Sequence, residues 1–188
     1  MLVFLVAKDI PKPRRIPRAK KLPPIPKRAD QTLNYIGPVQ EKLIGRVVAQ
    51  WSILENVLHH LIWRLTGLSF EDGRLFTERM DSARAILILR ILAARYLEGE
   101  QLQQFIDLLA AADDLRDDRN FIAHGAWTVL QPEGHNIAAS IRQKSEPGEI
   151  IGEHFPHARM RAIVAKIRET RTALFEIFDT LPSADKSE

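Results

Sequence analysis

The chain has no cysteine in its 188 residues. That excludes disulfide scaffolds, zinc–thiolate sites, iron–sulfur clusters and thiol nucleophiles, and it suits a reducing cytoplasm, the compartment expected here. Long apolar runs are also missing. The opening MLVFLVA is apolar, but a spanning helix needs about 20 such residues, so no membrane anchor is expected. It makes a poor signal peptide, because the bases follow the apolar run where they should precede it. There is no P-loop, no GxGxxG and no HExxH, so no motif points to nucleotide hydrolysis, dinucleotide binding or zinc proteolysis. Tryptophans are few, and each of Trp51, Trp63 and Trp127 sits in an apolar stretch, which reads as core or interface and not as a stacking platform.

Bases and prolines are unevenly placed. Of 27 Lys and Arg, nine lie in residues 1–28, with one of the 24 acids; 18 bases and 23 acids remain, so a tail of +8 precedes a body of −5. Six of the eleven prolines fall within KDIPKPRRIPRAKKLPPIPKR, residues 8–28. Proline removes donors and fixes φ, so this stretch is expected as an extended arm. Such an arm suits phosphates or an acidic partner surface, and a passive solvated tail is the alternative. The chain therefore divides into a basic Pro-rich arm (1–30), a helical domain (31–181) and a frayed tail (182–188).

With 45% hydrophobic and 27% charged residues, the body suits a soluble globular domain. Val39, Leu43, Val47, Trp51, Leu54, Leu58, Leu61 and Leu65 recur in steps of three and four, which predicts a helix from Pro38 to Thr66 stopped by Gly67. A short helix is expected around Phe70–Phe76. Asp81 caps a second long helix to Leu97, whose apolar core AILILRILAARYL predicts a central position. A third runs from Glu100 to Ala123. Residues 127–131 and 136–144 read as a β-hairpin, with a third short strand at 149–153. A last helix runs from about Pro156 to Thr180. The fold class is mainly α: a four-long-helix bundle with a β-hairpin or small three-stranded excursion before the last helix.

One position breaks the pattern. With about 100° per residue, Arg119 falls between Leu108, Ala112 and Leu115 on the apolar side of the third long helix, while Asp107, Asp114 and Asp118 fall on the solvated side. A guanidinium on a buried stripe needs an anion or a wet cleft. Asn120 and His124, four residues apart, flank it. Two readings follow. Arg119 pairs with a carboxylate, Glu55 being the obvious one, and His124 caps a helix end; or the three form a site. Glu55 and His59 share a helical face, but two ligands at that spacing make no convincing metal site. No metal and no cofactor is expected.

The run DLRDDRNFIAHGAW, with Arg119, Asn120 and His124, resembles the Arg-x(4–6)-His motif of the HEPN superfamily, and Trp51-Ser-Ile-Leu-Glu55 resembles the Trp-x-x-x-Glu turn of some of its branches. The resemblance spans residues 38 to 180. It implies a helical bundle that dimerises so that two motifs face one cleft. It also implies a metal-independent endoribonuclease, in several members a toxin or defence effector with an antitoxin partner. In such chemistry the RNA 2′-hydroxyl attacks the neighbouring phosphate. His124 moves protons, Arg119 stabilises the phosphorane charge and Asn120 orients the phosphate or His124. The alternatives are a non-catalytic module binding RNA, a nucleotide or a protein partner, and a purely structural helical protein.

Overall fold

A computed structural model describes residues 36–130, 137–143 and 150–181. The arm at 1–30, the tail at 182–188 and both turns of the β excursion lie outside them.

The protein is mainly helical, as the periodicity predicts. Helix α1 (Pro38–Thr66) begins with proline in its first turn, where no N–H is needed, and ends at Gly67, whose φ of 68° is the left-handed cap. It buries Trp51, Leu54, Leu58, Leu61 and Ile62 completely. Each such side chain stabilises by about 1.5–3 kcal/mol. Trp51→Ala alone would cost about 3–5 kcal/mol. Helix α2 (Phe70–Thr77) is capped by Ser69, whose Oγ accepts from the Asp72 amide at 3.1 Å. Helix α3 (Ser82–Tyr96) is capped by Asp81, whose Oδ1 accepts from the Arg84 amide at 2.8 Å. Helix α4 (Gly99–His124) follows. Strands β1 (Ala126–Leu130), β2 (Ile137–Gln143) and β3 (Ile150–His154) form an antiparallel sheet in that order, with Trp127 opposite Ser140 and Ile141 opposite Gly152. Helix α5 (His157–Phe178) closes the domain.

The four long helices pack in the order α1, α3, α4, α5 and back to α1, with α1 also reaching α4 across the middle. Gln40 meets Met160, Gln50 meets Arg168 and Arg171, and Arg64 meets the Leu181 carbonyl, so α1 and α5 run parallel. Asp118 meets Arg159 and Gln101 meets Thr180, so α4 runs antiparallel to α5. No helix among the described residues is long and apolar enough to cross a membrane.

Two expectations are corrected. Helix α3 is not central. Its Leu87 and Ile91 are 57% and 62% exposed, and α1 takes the middle instead. A sequence apolar all round shows that a helix has faces to cover, not that every face finds a partner. Asp118 is not on a solvated side. It turns toward α5 and ion-pairs with Arg159 at 2.9 Å.

Candidate functional site

Helix α4 carries Arg119, Asn120 and His124 on its last two turns and stops at Gly125. The stop is built from both sides of the turn. The Gly125 amide donates to the Phe121 carbonyl at 3.1 Å, and the indole Nε1 of buried Trp127, the second residue of β1, donates to the Ile122 carbonyl at 3.0 Å. Two of the carbonyls a helix end leaves without partners are thereby satisfied, and the strand is tied back onto the helix. The Trp127 ring packs 5.9 Å from that of fully buried Phe155. His124 is held at a helix end fixed by aromatic packing.

The structure brings the three motif residues together. Nη1 of Arg119 donates to Asn120 Oδ1 at 3.0 Å and lies 3.1 Å from His124 Nε2. Guanidinium has no acceptor, so Nε2 accepts and the ring proton sits on Nδ1. Arg119 and Asn120 are half-buried and His124 is exposed. Arg119 Nε is buried with no hydrogen-bond partner among the described residues. No ion pair joins Arg119 to Glu55 there, so the expected alternative partner does not reach it. Glu55 acts instead on His59, whose imidazole burial holds below its ordinary value while the Glu55 charge pulls the other way. Among the described residues no group of three His, Cys, Asp or Glu is placed to hold a metal ion.

Beside the motif stands a group that the sequence reading missed. Arg159 donates from Nη2 to Asp118 Oδ1 at 2.9 Å and to Glu153 Oε1 at 2.7 Å, and from Nη1 to the His154 carbonyl at 3.0 Å. Its guanidinium lies 4.3 Å from the Phe155 ring centroid. One side chain thus joins α4, β3 and α5 next to Arg119. Burial pushes the Asp118 carboxyl above its ordinary value, although the Arg159 charge opposes it. His154 is held low, by burial first and by Arg159 second. No helical spacing marks Arg159, since Asp118 stands 41 residues earlier and Glu153 and His154 lie on a strand before the helix begins.

Among the described residues, a cleft of about 420 Å³ lies at the other end of α1 from the motif, between His60, Trp63, Arg64, Phe70 and Phe178. A groove of about 220 Å³ between α4 and α5 is lined by Asp114, Asp118, Arg159 and Lys166 and borders the Arg159 group.

No family model matches the chain, and neither a curated protein nor a solved structure matches it.

Proposed function

We propose that this chain is a metal-independent endoribonuclease of HEPN type, acting as a homodimer in the cytoplasm, with a toxin or defence role and an antitoxin partner. The observation that carries the reading is the contact of Arg119 with both Asn120 and His124 at the end of α4. These are the residue types the reaction needs, on adjacent atoms. The ion pairs among the described residues support it, because they leave Arg119 without a carboxylate, and a guanidinium not neutralised in this way can bind a phosphate oxygen. The helix directions add to this. Helices α1 and α5 both begin at the end of the molecule where α4 finishes, and helix N-termini favour anions.

In this mechanism the scissile phosphate takes the Arg119 guanidinium. That frees His124 Nε2, which accepts the proton of the 2′-hydroxyl as its oxygen attacks phosphorus. Arg119 holds the added charge of the pentavalent phosphorane. The 5′-oxygen leaves with a proton from a protonated imidazole, that of the facing His124 in the dimer, and the product carries a 2′,3′-cyclic phosphate. Asn120 holds the guanidinium in register. Every step uses side chains of the motif.

The test is cleavage of single-stranded RNA by the full chain in EDTA, with product ends identified by mass. Cyclic-phosphate ends from the wild type, and none from His124→Ala at unchanged thermal stability, are expected. Undiminished cleavage by His124→Ala, or activity lost to EDTA alone, would overturn the reading.

A further inference from the structure

Along the outer edge of the α1–α5 pair, from Lys42 and Arg161 to Arg171, the described residues form a strip of cations with no anion between them. Gln50 Oε1 accepts from Arg168 Nε at 3.1 Å and from Arg171 Nη1 at 3.2 Å, so two guanidinium groups share one neutral amide oxygen. At about 100° per residue, Lys42 and Arg46 stand on the same edge of α1 as Gln50, and Arg161 on the same edge of α5 as Arg168; Lys42, Arg46, Arg161 and Arg168 are exposed, and Gln50 and Arg171 are half-buried. Among the described residues none of Lys42, Arg46, Arg161, Arg168 and Arg171 pairs with a carboxylate. By the same period Glu41 and Glu55 fall on the far side of α1, Glu169 and Glu176 on the outward side of α5, and Asp179 in line with Arg168 but one turn beyond Phe175.

This is unusual for a body with 18 bases and 23 acids beyond its first 28 residues. Three arginines outside the strip pair with carboxylates: Arg90 and Arg116 with Asp113, and Arg159 with Asp118 and Glu153. A strip of one sign repels itself and attracts a polyanion. It also carries an aromatic platform. Phe175, one turn beyond Arg171, is 60% exposed and stacks on Phe178 with centroids 6.3 Å apart and planes 11° apart. Cations in line with an exposed ring are the composition of a single-strand nucleic-acid track, in which phosphates meet the bases of the protein and a nucleobase stacks on the ring. The strip starts at the same end of the bundle as the motif. Gln40 with Phe155, and Asp118 with Arg159, set the first turns of α1 and α5 beside the last turns of α4. From Arg161 to Arg171 it runs about 15 Å at the helical rise.

We infer that this strip carries the single-stranded RNA flanking the scissile phosphate, with phosphates along Lys42, Arg46, Arg161 and Arg168 and a base on Phe175. The inference rests on the ribonuclease reading of the motif. The probe is a fluorescein-labelled single-stranded RNA of about 20 nucleotides, longer than an ordinary single-strand site. Its affinity is measured by anisotropy across a salt series, in the full-length His124→Ala protein so that the probe is not consumed. Replacing Lys42, Arg46, Arg161 and Arg168 together by Gln flattens the log–log salt slope by about 2 to 3, at about 0.7 per lost phosphate contact. Phe175→Ala weakens binding at least about fivefold and leaves the slope alone. These are exposed positions, and thermal melts check that the fold is kept. An unchanged slope and affinity in the fourfold variant overturns the inference. So does binding of a Glu-rich peptide that the fourfold variant loses while RNA affinity stays intact, which assigns the strip to an acidic protein. Failure of the motif reading shows separately: the wild type then binds RNA through the strip and leaves it uncut.

Discussion

Arg119 Nη1 sits 3.1 Å from His124 Nε2, so the lone pair that would take a proton is covered by an arginine hydrogen. In the proposed reaction a phosphate that draws the guanidinium away would uncover it, coupling substrate binding to the exposure of the base. Arg119→Ala should lower single-turnover cleavage about a hundredfold or more, as loss of a charge-stabilising donor does, and weaken RNA binding as well. Arg119→Lys should recover part of the binding and less of the rate, because an ammonium has no fork to span two oxygens. Equal rates for wild type and Arg119→Ala would remove Arg119 from the chemistry.

The indole of Trp127 fixes the end of α4 through its bond to the Ile122 carbonyl. Trp127→Phe keeps an aromatic ring against Phe155 but removes the donor. It should cost about 1–3 kcal/mol in urea unfolding, since the buried carbonyl is left without that partner. It should also lower the RNA cleavage rate more than RNA affinity, because His124 is on the turn that loosens. A stability equal to wild type would show the carbonyl finding another donor.

Burial raises the Asp118 carboxyl above its ordinary 3.8. The folded chain then keeps a proton that the unfolded chain has released. The contribution to stability is complete below 3.8 and declines as the pH rises through the folded value. Asp118→Asn removes this decline, and its amide oxygen still accepts from Arg159. The melting temperature of the variant relative to wild type should therefore rise as the pH is raised from 3.8 through the folded value. A difference that falls over that range would mean that the Arg159 charge, not burial, governs Asp118.

Gly73 of α2 faces the Trp63 indole so closely that an added Cβ would lie 2.5 Å from its ring carbons. Gly73→Ala should displace α2 from α1 and destabilise by about 1–3 kcal/mol, in spite of alanine's better helix propensity. Thermal melting followed by tryptophan fluorescence checks this. A gain in stability would show the indole turning aside at no cost.

The helix boundaries were legible because they depend on neighbours within one turn. Pro38 and Gly67 bound α1, and Asp81 caps α3. The motif trio was legible for the same reason, since Arg119, Asn120 and His124 belong to one helix whose period sets their directions. The partner of Asp118 was not legible. The wheel put it away from the apolar stripe, and only the return of α5 beside α4 made that side an interface. Likewise α3 showed apolar residues on every face, while which face stays bare depended on α1 taking the centre. The same holds for the α1–α5 strip. Sequence alone placed Arg168 and Arg171 on a helix and Gln50 on another, and the parallel packing of the two set all three in contact. Local rules act over one turn and specify where a helix starts, ends and turns its apolar stripe. What stands opposite each remaining face is decided by the packing of helices distant in the chain, and periodicity carries no term for it.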